Sequence, residues 1–525
     1  MPSAFDSENI ASPRSTANAF GLPTVPNQAE NVMLRAFSTT TLIVGVTLTG
    51  TSVPAQSIHD DFHHLGEINK ASIVMLTEVG LVPDGLAATI AGGIRDVMSE
   101  QKTPGARRSS DYLVFEERLI EITGPEGSRL HTGRSRQDIG STFRRLTTRE
   151  ALLSAYEALL EPRGALLELA DLHTGTIIPA YTHGVQAQPT TLAHYLLAFA
   201  SVLERDADRI EETFTRINLS PLGSAALGTS GFPIDRHRLA ALLGFDDVVE
   251  NSYDANHIAS VDSKTEVAAT LAISAIAIGQ FAEDLHVQYH NPIPWLLLDR
   301  SLTGVSSIMP QKRNPGILSE LRRLSSTVVG EAQTVFLNAH NISSGMPDSR
   351  TNTQLLETIA GATEMYSIFA DIVRGLRVDA ERSLAEVDAD YATMTEVADT
   401  LLRHADIPFR IGHHYASEIT EYGRAQGKRP KELTPEELRE LYVGVYGEPL
   451  PVAVSLIEAA LDPQTMVASR LGLGGPQPEE VRRMLSTHRE QVSASRNWLD
   501  ETQDRLATAE AARESSFTRL IGDGR

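Results

Sequence analysis

The run TEVAATLAISAIAIGQFAEDLHVQ, residues 265–288, decides the fold class. Its apolar side chains recur at the three-and-four spacing of a helix, on more than one face. The apolar core from Val267 to Phe281 is too short for a bilayer, which takes about 20 apolar residues. It also contains Thr270, Ser274 and Gln280 and leads into Ala282-Glu283-Asp284. A buried core helix fits it better than a membrane span. On both sides the same period returns: Glu150 to Leu172, Thr190 to Ile217, Leu318 to Leu337 and Thr353 to Leu376. Helices of this length, about 30 Å or more each, build a long bundle rather than an α/β unit. Apolar positions on several sides also imply burial against other copies of the chain.

Shorter elements flank the bundle. Ile68 to Leu76, a turn at Val82-Pro83-Asp84-Gly85, and Leu86 to Met98 read as a helical hairpin. Near the C-terminus Thr434 is a helix cap, Pro435 suits the first helical position, and Glu437 closes a capping box. Gly474-Gly475-Pro476 breaks the chain before a last helix near Pro478. The predicted organisation is a leader over 1–57, an N-terminal helical domain over 58–145, a central long-helix bundle over 146–395 and a small C-terminal helical domain over 396–525. No internal repeat is seen.

The chain has 525 residues, 41% hydrophobic and 22% charged, with a net charge of −22. That charge argues against nucleic acid, whose binding needs a basic face. An anionic small molecule remains compatible, provided that its pocket concentrates positive charge locally. Cysteine is absent, which excludes disulfides, thiolate chemistry and Cys-ligated metals. Residues 1–32 are polar and read as a disordered leader. Residues 33–55 resemble a weak secretory signal, with Val53-Pro54-Ala55 as its small-residue site. The alternative is an N-terminal arm on a cytoplasmic protein, which is the expectation adopted.

Three polar islands interrupt the helical pattern. The first, His131 to Asp138, holds two arginines, two hydroxyls and an amide just before a long helix. Arginine forks and helix-start amides suit carboxylates; an ordinary solvated loop is the plain alternative. The second, Tyr181 to Pro189, sets His183 among Thr182, Gln186 and Gln188. It carries a proton-transfer group or a structural histidine. The third runs Gly304-Val305-Ser306-Ser307-Ile308-Met309-Pro310-Gln311-Lys312-Arg313-Asn314-Pro315. No Gly-x-Ser-x-Gly elbow surrounds its serines, so acyl transfer is not indicated.

Together, in this order, the islands resemble the three active-site segments of the fumarase/aspartase superfamily. Its hallmark, Ser-Ser-x-Met-Pro-x-Lys-x-Asn, is intact from Ser306 to Asn314. The His-Thr-Gly-Arg-Ser-Arg and Tyr-Thr-His…Gln-Pro versions of the other two resemble the argininosuccinate lyase branch. Further stretches similar to that branch include Pro221 to Leu227, Phe232 to Arg236, Phe281 to Leu285 and Val467 to Arg470. The resemblance covers about residues 60 to 490. It implies an all-α, three-domain subunit whose central bundle forms a roughly 20-helix core in a homotetramer. Each active site would be assembled from three chains. It also implies a carbon–nitrogen lyase that frees fumarate from an N-substituted aspartate, a small-molecule dicarboxylate, with no metal or organic cofactor and no membrane partner.

In that reading Ser306 is the base that removes a proton beside a carboxylate, and Lys312 and Asn314 steady the aci-carboxylate charge that develops. Ser135, Arg136, Gln137 and Thr182 hold the succinyl carboxylates, with Ser307, Met309 and Gln186 completing the contacts. His183 orients substrate or handles a proton. Closure of the 304–315 loop would exclude water.

Several positions depart from the branch. Gln137 stands where it has Asn, Val305 where it has Gly, and Tyr112 where it has a His. The supporting Glu five residues after the loop Asn is Ser319, with Glu320 next door, about 100° around the helix. Where the branch carries Tyr-Asn-x-Asp-Leu-Gln-Glu-Asp-Lys to hold the amino-acid end, this chain reads His340 to Arg350, HNISSGMPDSR. The succinyl half of the site is kept and the leaving-group half is rebuilt. The expected substrate is therefore an aminopolycarboxylate of the ethylenediamine-disuccinate type. Argininosuccinate and a catalytically silent, crystallin-like role are the alternatives.

Overall fold

The computed structural model describes residues 59–106, 108–345 and 353–522. The leader and signal-like stretch, and residues 346–350 of the rebuilt segment, lie outside them. The N-terminal hairpin forms as α1 (Asp61–Glu78) and α2 (Asp84–Glu100), followed by α3 (Tyr112–Thr123). Five long helices come next in function if not in strict succession. They are α4 (Arg136–Leu172), α5 (Leu192–Ile217), α8 (Ala259–Gln288), α9 (Gly316–Ala339) and α10 (Thr353–Arg374), with the short α6 (Arg236–Leu242) and α7 (Ser252–His257) between α5 and α8. The C-terminal part holds α11 (Ala380–Val387), α12 (Met394–Ala405), α13 (Phe409–Gln426), α14 (Pro435–Tyr446), α15 (Val454–Ala460), α16 (Pro463–Ala468) and α17 (Pro478–Gly522). This is the all-α fold expected.

Strands serve only as short connections. Antiparallel β1 (Ile177–Thr182) and β2 (Val185–Thr191) form a hairpin, and β3 (Leu219–Ser220) pairs in parallel with β4 (Asp247–Val248). β5 (Leu296–Leu298) pairs with β8 (Leu376–Val378), and β6 (Gly304–Val305) with β7 (Arg313–Asn314), both antiparallel.

Apolar side chains from all five long helices make one continuous core that includes Tyr156, Leu196, Leu271, Phe281, Leu321 and Phe369. At about 25 cal/mol per Å² of buried apolar area, this core is the main stabilising element of the chain. α8, long and apolar enough to cross a membrane by composition, has half of its most apolar window buried in this core. It is a core helix. Ile273 and Ile276, on its other face, stay exposed. A second cluster gathers α1, α2 and α3 around Leu65, Ile90 and Phe115, and a third gathers α12 to α15 around Leu401, Tyr415 and Leu438.

The cap expected at Thr434 is present: its side chain accepts the Glu437 N–H and Glu437 accepts the Thr434 N–H. α17 does not stay with the third cluster as the 396–525 grouping expected. Its Val481, Leu485 and Leu499 join the central core and Phe517 joins the N-terminal cluster. Arg513 Nε donates to Glu67 Oε2 at 2.7 Å, holding its far end there. With 45 residues, about 67 Å of helix, it is too long to bury against a small domain alone.

Candidate active site

Ser135 has the extended backbone of an N-cap, φ −138° and ψ 155°, and its hydroxyl accepts the Gln137 N–H. Asp138 Oδ1 returns the bond by accepting the Ser135 N–H at 2.7 Å. The first turn of α4 thus presents its amides with Arg136 exposed beside them, an anion-accepting arrangement. The Gln137 Oε1 is buried without a hydrogen-bond partner among the described residues. Gly133, at φ 69°, packs so close to Ile234 that a Cβ would meet its Cδ1 at 2.5 Å. Only glycine fits both the angle and the space.

Asp138 also reaches across the chain. Its Oδ2 accepts the Gly223 and Ala225 N–H groups at 2.9 and 3.2 Å, and its Oδ1 accepts the Ile139 N–H at 3.0 Å. Burial pushes its carboxyl up, while the backbone donors and Arg134 pull it down. The turn it holds is strained, with Ala225, Ala226 and Thr229 at φ 47°, 74° and 59°. Each such residue costs about 1–3 kcal/mol. Asn256 adds a second restraint, its Nδ2 donating to Ser224 Oγ and Ala226 O, both at 2.8 Å. Asp138→Ala leaves these amides without their acceptor and is expected to lower stability by roughly 3 kcal/mol. Thermal unfolding followed by circular dichroism measures it; an unchanged Tm would contradict this account.

Behind the first island sits a buried polar network that the sequence reading passed over. Arg134 Nη1 donates to Asn69 Oδ1 at 3.0 Å and Ser72 Oγ at 2.9 Å, and its guanidinium lies 5.1 Å from the Tyr112 ring centre. Tyr112 stacks on His131 at 4.6 Å. Burial, and then the nearby Arg134, pull His131 down to about 4, and burial lifts Tyr112 to about 12. Both are neutral near pH 7. The available signal was Asn69 and Ser72, two polar residues on an otherwise apolar stripe of α1.

The second island folds as the tip of the β1–β2 hairpin. His183 and Gly184 have φ 53° and 75°, the left-handed pair that a two-residue type I′ turn requires. Thr182 and His183 are exposed. Gln186 Nε2 donates to Val387 O at 3.1 Å, so it moors the hairpin to α11. Its carbonyl and its second amide N–H stay uncommitted by that bond.

The third island is a ribbon. Gly304 pairs with Asn314 and Val305 with Arg313, so the chain from Ser306 to Lys312 forms its tip. The Ser306 hydroxyl accepts the Met309 N–H at 3.1 Å, and the Lys312 N–H donates to Met309 O at 3.0 Å. Ser307, Met309 and Lys312 are exposed and Asn314 is half-buried. Val305 is 92% exposed and Ile308 82%, apolar side chains that no described residue covers. Glu320 is held by Arg323 on the outside of α9.

Helix direction decides which islands meet. α4 carries Arg136 at its start and ends 37 residues later beside the hairpin, about 55 Å away. α5 returns, and α8 runs back to the hairpin end, where β5 and β8 pair near the 304–315 ribbon. α9 returns again, and Ser344 then lies against α7: Tyr253 Oη and Ser344 Oγ are 2.7 Å apart, and His257 Nδ1 is 2.7 Å from Ser344 O. One chain thus places Ser306, Lys312, Thr182 and His183 at one end. Ser135, Arg136, Gln137, the 221–229 turn and the 340–345 segment stand at the other. Among the described residues no hydrogen bond or ion pair joins the two groups.

Comparison with known proteins shows the family. A family described as lyase matches residues 75–330, and the argininosuccinate lyase C-terminal family matches residues 391–468. The argininosuccinate lyase of Methanothrix thermoacetophila is 35% identical over 467 residues, 86% of this chain and 91% of that protein. This chain belongs to the argininosuccinate lyase family of the fumarase/aspartase superfamily. It is a carbon–nitrogen lyase. Its structure also resembles EDDS lyase in complex with formate, at TM-score 0.82 and 30% identity, covering 89% of this chain and 93% of that one. A variant of EDDS lyase with bound fumarate matches at TM-score 0.81 and 31% identity over the same shares.

Proposed function

We propose that this lyase eliminates an amine from an N-substituted aspartate to leave fumarate, at sites shared between copies of the chain in a homotetramer. The observation that carries the reading is the Ser306–Asn314 ribbon, intact in sequence and presented at a solvent-facing tip. Ser306, as its alkoxide, takes the proton from the carbon beside one carboxylate. The carbon–nitrogen electrons depart with the amine and the double bond of fumarate forms. The Met309 N–H on Ser306 Oγ favours the charged oxygen, and Lys312 adds a nearby positive charge. Arg136 and the first-turn amides of α4, from another copy, hold the succinyl carboxylates with Ser135 and Gln137. Thr182, His183, Ser307, Met309, Asn314 and the Gln186 carbonyl complete the pocket.

For the leaving amine we propose an aminopolycarboxylate of the ethylenediamine-disuccinate type. The rebuilt stretch, residues 340–350, has one acidic side chain, Asp348, against three in the run that the argininosuccinate lyase branch carries there; the likeness to EDDS lyase supports the same choice. Argininosuccinate itself is the second reading, favoured by relatives bearing that name. The test follows fumarate by ultraviolet absorbance with ethylenediamine-disuccinate and argininosuccinate side by side. The first is expected to be consumed with a kcat/KM at least about a hundredfold higher, since a buried ionic mismatch costs several kcal/mol. The reverse ranking would overturn the proposed amine and leave the reaction class in place. Similarity to soluble metabolic enzymes supports a cytoplasmic location.

A further inference from the structure

The end of the chain that carries Arg136 is tied together through α7. Ser252 Oγ donates to Leu227 O at 2.8 Å, and Asn256 Nδ2 holds the same turn at Ser224 and Ala226. Asp138, one residue after Gln137, secures that turn from the α4 side through Gly223 and Ala225. The opposite side of α7 holds the segment that follows α9. Asn341 takes φ 57° just past His340, the C-cap, the left-handed conformation that commonly stops a helix. The chain then meets α7 at Ser344. His257, 5% exposed, donates from Nδ1 to Ser344 O at 2.7 Å. Tyr253 Oη and Ser344 Oγ share a hydrogen bond of 2.7 Å. One short helix thus joins the carboxylate-accepting start of α4 to the rebuilt segment.

Tyr253 is the member of this bridge that faces outward. Its ring lies 4.9 Å from that of His257, yet the residue is 43% exposed. Two hydroxyls bring two protons and four lone pairs, and the bond between them uses one of each. A proton and several acceptor positions stay uncommitted by that bond. Ring and hydroxyl are both held in advance, so a ligand here orders no free side chain. We propose that Tyr253 is a specificity-determining residue for the leaving amine. Its hydroxyl, steadied by Ser344, hydrogen-bonds the amine end of a substrate whose succinyl end sits at Ser135–Gln137 of the same copy. The inference rests on the elimination reading above. It assigns recognition of the amine to a helix outside the rebuilt segment.

The test measures binding to the full-length Ser306→Ala protein by calorimetry. One probe is fumarate, which has no amine. The other is whichever of ethylenediamine-disuccinate and argininosuccinate binds more tightly. Tyr253→Phe keeps the ring and removes the hydroxyl. It is expected to weaken the amine-bearing probe at least about tenfold and fumarate by no more than about twofold. Ser344→Ala leaves the Tyr253 hydroxyl present but unheld, and is expected to weaken the same probe by about threefold. Added to Tyr253→Phe it should cost nothing further, since both act through one group. Equal weakening of both probes, or of neither, overturns the assignment. Turnover by the native protein is read separately. Selective weakening without fumarate formation from either compound would sink the elimination reading and spare Tyr253. Fumarate formation with a KM untouched by Tyr253→Phe would do the opposite.

Discussion

The Ser306→Ala protein is expected to form fumarate at less than about a thousandth of the native rate. Proton abstraction from carbon is the hard step, and Ser306 is the group proposed to do it. Stability should hardly change. The half-buried hydroxyl accepts one backbone N–H, from Met309, and losing such a bond at a surface costs about 1 kcal/mol or less. Initial rates by ultraviolet absorbance, set beside thermal melts, separate the two effects. Retention of a tenth of the native rate would remove Ser306 from the mechanism.

Mixing supplies the second large effect. Ser306 and Arg136 stand at opposite ends of helices about 33–55 Å long, so one chain alone cannot bring them to one substrate. Ser306→Ala and Arg136→Met proteins are each expected to be nearly inactive. Refolded together in equal amounts, they should recover up to about a quarter of native activity, because random association places both intact residues at one site in four. A mixed assembly, verified by native mass spectrometry, that stayed as silent as its parents would refute the shared site. The exposed Ile273 and Ile276 on α8 and Val305 and Ile308 on the ribbon are faces such association would cover.

The long helices were legible because their period is local. Each of the five predicted runs lies within an observed helix, apart from one or two residues at its ends, while α4 extends 14 residues further toward the N-terminus than its apolar pattern showed. That extra length, Arg136 to Arg149, buries polar side chains such as Asp138, Arg145 and Arg149 on hydrogen-bond partners between residues 216 and 259. Periodicity does not register it. The hairpin around His183 escaped for a related reason: its strands carry no clean apolar alternation, and its turn depends on His183 taking a positive φ. Arg134 looked like a surface cation until α1 supplied Asn69 and Ser72 as its partners.

By itself the sequence determined the helical class, the Thr434 cap and the chemistry-bearing ribbon, since these depend on residues a few positions apart. Tertiary structure alone decided that the helix start proposed to hold the succinyl group and the serine ribbon stand at opposite ends, and that α17 leaves its neighbours to brace the bundle. Those outcomes follow from the direction and packing of helices over tens of ångströms. Local spacing carries no record of them.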